Sequence, residues 1–577
     1  MQNADLFAFG SPNHSTFLWR NAVHGVHFNH ETKDWPILQA WLDLHQNPLS
    51  KEIIMNSHSR RKFLSDVGQG MLVASLGTSL ASDLGVSTAF AAEDDPRLSF
   101  GKLEPLVGLM QETPTAKILP ALVGKLNAGV SLRQLVAAGA LANARTFGGE
   151  NYHGFHTFMA LAPAYDMAKE MPKGQQALPV LKVLYRNSIY TEKNGGHAKD
   201  VLKPIKAAKV TAVGKAAQQL RQATNATDKA KAEQLLAALV EQSLESALNG
   251  VLHHVEDNHN VHTIVMPWRA WDVLELTGKE HALTLLRQSV RQCAGHNSRG
   301  TNRAVERRRA FVPKLIDEYK LLSRPAGKRK ADDAWVEKFA LNILKLNSNQ
   351  AAEAAAVALA EGILPEHVGE AISLAANQLI LRQVEVWEGY GRRTHGDSRG
   401  VHASDMINAW RNIARVCSHR HAVTGLIIAA QNVSNSHSRP KGHRQTPFPQ
   451  PAQLERVKAA TPKALLRELD GAIRENNQLR ACALVHRYGE LGHAQRPLLN
   501  VLIQFGTSED GRLHAEKYYH TATEEFTTMR KAFRWRQMVS LARVTASCYG
   551  FTVDDKRGKG SGHRAPGYEE ARRLLKV

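Results

Sequence analysis

Four histidine-led apolar segments, alike in register and spread along the chain, constrain the fold more than any other feature of this sequence. They read Phe155-His156-Thr157, Val261-His262-Thr263, Val401-His402-Ala403 and Leu513-His514-Ala515. Ten residues beyond each histidine stands an oxygen-bearing side chain: Asp166, Asp272, Asn412 and Glu524. Stretches with helical apolar spacing broken by a glycine turn lead into them. Residues 122–132 run into an Ala/Leu-rich stretch reaching Arg145, and residues 358–368 run into 369–381 in the same style. Residues 465–488 form a looser copy, and residues 235–251 supply the second helix of another. A duplicated unit of this size buries its apolar face only against a neighbour. The expectation is therefore an all-α fold of irregular helix-turn-helix repeats in a stacked or toroidal array, with one histidine per unit. Aromatics make up only 6% of the chain, and strong helix formers outnumber strand formers.

The first two copies agree further. Residues 150–157 and 256–263 both fit E-x-x-H-x-x-H-T, placing Glu150, His153 and His156 in parallel with Glu256, His259 and His262. On a helix, positions three apart share a face, so each set can converge on one ion. Neutral imidazole with carboxylate suits iron, zinc, manganese or copper, and haem is a further option. Paired Glu/His motifs of this kind build di-metal sites in helical bundles. The third and fourth copies lose the Glu and the first His, with Arg399 and Gly511 at the positions of His153 and His259. In a single site, His402 and His514 then complete or orient the set, and Asp166 and Asp272 orient imidazoles from behind. Two other roles fit the same residues: acid/base catalysis without a metal, and a purely structural duplication.

Other features narrow the class. Cys293, Cys417, Cys482 and Cys548 lie far apart with no C-x-x-C, which removes zinc ribbons, thioredoxin-type sites and covalent c-type haem, and favours buried apolar cysteines. His253-His254 precedes the second motif and can add a ligand, whereas Cys417-Ser418-His419-Arg420-His421 reads as surface. Trp268, Trp271, Trp387 and Trp410 fall near the repeated histidines and are candidates for an apolar wall or for core. There is no P-loop, no dinucleotide fingerprint after a strand and no G-x-S-x-G elbow.

The chain carries a net charge of +20, and residues 1–91 contribute none of it. Basic clusters lie at residues 299–309, 324–330, 392–399, 439–444 and 556–564, each rich in Gly, Ser or Pro and read as a solvated loop. Ser59-Arg60-Arg61-Lys62-Phe63-Leu64, a mildly apolar stretch over 67–84 and Ala89-Phe90-Ala91 resemble a twin-arginine (Tat) signal peptide with its cleavage site. The apolar stretch is too rich in Gly and Ser for a membrane span, so no permanent span is expected. The resemblance implies passage through the twin-arginine export machinery to the periplasm or beyond, which makes nucleic acid an improbable partner. The expected division is 1–54 as an over-extended start preceding Met55, 55–91 as the signal peptide, and 92–300 as a first helical half with both motifs. A basic linker over 301–335 and a second helical half over 336–577 complete it.

His153-Gly154-Phe155-His156-Thr157-Phe158-Met159 and His259-Asn260-Val261-His262-Thr263-Ile264-Val265 resemble the histidine-led helices of questin-oxidase-like proteins. The resemblance covers about a tenth of residues 92–577 and implies an all-α fold with oxygenase-type chemistry on a ring ketone. The resulting expectation is an exported metal- or haem-dependent oxidoreductase acting on a small molecule, with Glu150, His153, His156, Glu256, His259, His262, His402 and His514 as candidate ligands. The competing expectation is a non-catalytic helical-repeat protein of the cell envelope whose basic loops recognise an anionic glycan or a partner protein.

Overall fold

The computed structural model describes residues 97–577, apart from 299, 301–302, 384–386, 389–390, 393–394, 438–445 and 552–563. The signal-like segment 55–91, the stretch 1–54 and the basic clusters at 439–444 and 556–563 lie outside the described residues. The described chain is all-α, with 23 α-helices. Its one strand pair is an antiparallel contact of Trp387–Glu388 with Gly391–Arg392. No described helix is long and apolar enough to cross a membrane. No disulfide forms among the described residues, and Cys293, Cys482 and Cys548 are buried.

Twelve helices position the site, and they fall into four triplets. These are α1 Leu132–Phe147, α2 Tyr152–Glu170 and α3 Ala177–Lys193; then α4 Leu244–Val255, α5 Val261–Thr277 and α6 Ala282–Asn297. The third is α7 Pro365–Arg382, α8 Arg399–Ile413 and α9 His419–His437, and the fourth is α10 Gln495–Ser508, α11 Ala515–Thr528 and α12 Trp535–Cys548. In each triplet the middle helix packs against the helices before and after it. The four middle helices also pack against one another in cyclic order: α2 on α5, α5 on α8, α8 on α11 and α11 on α2. Their outward faces are sealed by buried aliphatic residues such as Leu135, Leu161, Leu181, Val273, Ile372, Ile407 and Leu541.

Close packing of two triplet partners depends on small residues. Gly425 of α9 lies under the fully buried Trp410 ring of α8, and a Cβ there would run into the indole. Gly148 and Gly149, both at positive φ, turn the chain from α1 into α2.

The stretch 301–335 is not a plain linker, because Arg303–Glu318 is a helix running through the Arg307-Arg308-Arg309 run. Val312, Leu315 and Ile316 supply a buried helical stripe, and that spacing outweighs the charge of the run's exposed face. The two expected halves do not stand apart either. Residues 96–577 form one compact unit, in which middle helices from before and after the stretch are interleaved.

Candidate metal centre

Polar caps place the four histidines. The Asn151 side chain accepts from Gly154 N at 2.9 Å, Asn260 from His262 N at 2.9 Å, Ser398 from Val401 N at 3.3 Å and Asp510 from Leu513 N at 3.2 Å. Each cap fixes a helix or turn start within five residues of its histidine. Because the middle helices share one direction, the four side chains meet at the N-terminal end of the ring. Ring centroids lie 4.7 Å apart for His156 and His262, 5.4 Å for His262 and His402, 4.7 Å for His402 and His514, and 5.1 Å for His514 and His156. One donor atom from each of His156, His262 and His514 lies within 4.8 Å of the others. His156 and His514 are buried, while His262 and His402 are half-buried.

Backbone carbonyls orient two of the rings. His402 Nδ1 donates to Ser398 O at 2.9 Å, and His514 Nδ1 donates to Arg512 O at 2.8 Å. With Nδ1 carrying the proton, Nε2 of each ring is left with its lone pair, the arrangement that metal-binding histidines use. Nε2 of His156 and of His262 is buried without a hydrogen-bond partner among the described residues. An orphaned pair of buried ring nitrogens costs free energy unless something binds there.

The surroundings keep His156, His262 and His514 neutral. Burial, followed by Lys517 and the neighbouring imidazoles, holds His156 and His514 well below the usual histidine range. Burial, then His402 and Lys517, does the same for His262. Lys517 of α11 is itself fully buried, with Nζ 2.9 Å from His156 Nδ1. Burial pushes its pKa down to about 8, against the pull of Asp405 and Glu516. Next to it, Lys182 and Glu516 form a buried ion pair at 2.8 Å.

Aromatic rings close the outer side. Tyr152 stands edge-on to His156 at 4.4 Å and faces His262 at 6.3 Å, and Phe155 lies 4.9 Å from His156 and 5.1 Å from His262. A narrow cavity of about 30 Å³ reaches His514 from the other side, lined by Phe505, Tyr518, Tyr519, Leu541, Val544 and Cys548 among others. Trp410 is core, Trp268 and Trp271 pack against core at partial exposure, and the Trp387 side chain lies outside the described residues.

Half of the sequence candidates are elsewhere. Glu150 precedes the Asn151 cap, outside α2, where Lys229 and Arg291 hold its carboxylate. His153 stacks on Tyr190 of α3 at 4.1 Å. Glu256 and His259 lie in the turn between α4 and α5. Glu256 pairs with His421 at 2.6 Å, and the His259 carbonyl faces Asn432. Spacing three apart does not converge the motif: Glu150, Glu256 and His259 precede the helix starts, and His153, although inside α2, is drawn off by its stacking on Tyr190. Asp166 and Asp272 do not orient the imidazoles, since ten residues of helix is a rise of about 15 Å.

Those acids form a second layer at the opposite end of the ring. His520 lies 3.4 Å from Asp166 and 3.7 Å from Glu524, and Asn412 donates to Glu524 at 3.0 Å. Burial, helped by Asp166 and Glu524, raises the Asp272 pKa to about 6, with Arg269 opposing from 3.4 Å. Sequence reading missed Lys517, Tyr152 and the burial of His421. The first two share a face with the ring histidines, at i+3 from His514 and i−4 from His156, and that spacing was the available signal. No family model, curated protein or solved structure matches the chain, so geometry alone supports a function.

Proposed function

We propose that His156, His262 and His514, with His402 closing the ring, hold one transition-metal ion, and that the chain is a metal-dependent oxidoreductase built from four duplicated units. The carrying observation is the meeting of four histidines from four helices, with two buried Nε2 atoms lacking partners. An all-imidazole set suits iron, copper or zinc better than a hard oxygen-seeking ion. A bound ion would supply Lewis-acid or redox chemistry at the centre of the ring. The spacing favours a bare ion over haem, because rings this close leave no room for a macrocycle and the bordering cavity is only about 30 Å³. That volume suits dioxygen or water, and Tyr152 and Phe155 give an organic substrate an apolar approach.

The chain's own groups set the polarity of the site. Burial keeps His156, His262 and His514 unprotonated, with Lys517 adding to it, and Lys517 with the nearby helix N-termini favours negative charge on whatever binds beside them. An anionic or enolisable small molecule is the substrate class that this field accepts. The twin-arginine-like segment supports export to the periplasm. Arg60→Lys with Arg61→Lys should leave the protein in the cytoplasm on cell fractionation.

Metal content and the visible and paramagnetic-resonance spectra of the purified protein test the reading. Near-stoichiometric iron or copper, lost in His156→Ala and His262→Ala with helical circular dichroism intact, supports it. Zinc in the same place would move the chemistry from redox to hydrolysis or hydration. A metal-free protein that resists reconstitution ends the metalloenzyme reading and leaves the basic loops, with an anionic glycan or partner protein as ligand, as the function to pursue.

A further inference from the structure

A second group of donors stands apart from the histidine ring and does not depend on the reading given for it. His253 lies in the last turn of α4, Glu256 follows that helix, and His421 lies in the first turn of α9. One ligand atom from each lies within 4.8 Å of the others. His421 Nδ1 meets Glu256 Oε1 at 2.6 Å, and the His253 and His421 rings stand edge to face at 4.6 Å. Glu256 and His421 are 6% and 1% exposed, so the carboxylate is almost wholly removed from water.

A His–Glu hydrogen bond accounts for two of these residues and leaves the third unexplained. His253 brings a further imidazole, edge to face with the His421 ring, to a buried carboxylate that already holds one imidazole. Three such groups are brought together at a cost unless a cation lies among them. The charged neighbours are accounted for. Arg221 is held by both oxygens of Asp257, at 2.6 and 2.5 Å, and Asn225 also donates to that carboxylate. Arg420 reaches Glu256 only at 3.7 Å, from a side chain that is 35% exposed and can swing outward. His254, beside the site in sequence, is fully buried, with both ring nitrogens lacking a hydrogen-bond partner among the described residues.

We infer that His253, Glu256 and His421 form a second metal site, a two-histidine, one-carboxylate set for a borderline divalent cation such as zinc. Three protein ligands leave a coordination position open, the pattern of zinc sites that keep a water. The site joins α4 to α9, two helices from different triplets, so occupancy ties the second unit to the third.

The test separates the two sites. In the full chain carrying His156→Ala, His262→Ala and His514→Ala, Zn²⁺ binding is measured by equilibrium dialysis and Co²⁺ binding by its visible absorption. One equivalent should remain. It should weaken by about tenfold or more on adding His421→Gln or His253→Gln, and Glu256→Gln should shift the Co²⁺ spectrum. His253 is only half-buried, so His253→Gln keeps the test usable if a change at His421 unfolds the chain. The inference is overturned if the triple variant, helical by circular dichroism, binds neither ion, or binds one equally well with and without His253→Gln. A parent chain that binds no more metal than the triple variant would overturn the proposed function and leave this site standing.

Discussion

Lys517 Nζ lies 2.9 Å from Nδ1 of His156, and both side chains are fully buried. The contact links the lysine's charge to the ligand capacity of the ring. If an ammonium donates to Nδ1, the neutral imidazole keeps its proton on Nε2, facing the other histidines. If the amine is neutral and accepts from Nδ1–H, Nε2 offers its lone pair. Lys517→Met should therefore tighten metal binding at the ring, and Lys517→Arg, which cannot lose its charge, should weaken it by about tenfold or more. Metal titration of the two variants at one pH checks the opposite signs.

The ring and the carboxylates of the sequence motif should separate cleanly under mutation. His156→Ala, His262→Ala and His514→Ala should each reduce metal retention about 10- to 100-fold. His402 falls outside the three-donor group, so His402→Ala should have the smallest effect of the four. Glu150→Gln should leave metal content unchanged. It should cost about 1 kcal/mol of stability by breaking the half-buried pairs to Lys229 and Arg291, measured by urea unfolding.

Metal-free protein should lose stability in acid through the same histidines. His156, His262 and His514 stay unprotonated in the folded chain, whereas the unfolded chain takes up protons below 6.5. The stability they allow is present above that value and lost as pH falls through it. By pH 5.5 each contributes on the order of 1 kcal/mol of destabilisation. Unfolding free energies at pH 7.5 and 5.5, compared with a triple His→Gln variant, should show the variant losing less.

Asp272 should behave in the opposite sense. Its folded pKa is raised from 3.8 to about 6, so ionisation opposes folding as pH rises through that window. Asp272→Asn should be neutral near pH 3.5 and more stable than the parent by about 1 to 3 kcal/mol above pH 6.5. A thermal-melt series across those pH values tests it. A destabilised variant at pH 7 would mean that the acid layer needs the Asp272 charge.

Packing in the third triplet gives a prediction independent of any ion. Gly425→Ala forces a methyl group into the Trp410 ring, and should cost about 1 to 3 kcal/mol, as overpacking does. Near-ultraviolet circular dichroism should register the displaced indole.

The four-fold register of histidine plus polar residue ten places on was the most legible feature, although the acids were expected to orient the imidazoles and lie instead toward the other end of the helices. It was readable because a residue that lines a shared axis must recur at the same point of each helix. The all-α class was readable from helical spacing at, for example, Leu135, Val136 and Leu141. Glu150, Glu256 and His259 were misplaced because helix was assumed throughout each motif, whereas Asn151 and Asn260 start the helices partway along it; His153 is helical but is drawn off by stacking on Tyr190. The basic run at Arg307 was read as loop because its charges masked the Val312, Leu315 and Ile316 stripe. His421 could not be placed from sequence at all. Its partner Glu256 is 165 residues away, and only the docking of α4 beside α9 joins them.

Because the ring draws its members from positions far apart in the chain, no short segment can form it. His156 and Lys517 are separated by 361 residues, and only a polypeptide extending past His514 contains all four imidazoles. A nascent chain that has released only its first three triplets can form helices and bury much of their apolar faces. It presents an unclosed ring with a vacant edge where α11 belongs. Closure is thus a late, long-range event, slow by the measure of sequence separation. Truncated products, however helical, would lack the centre and be distinguishable from the full-length protein by that alone.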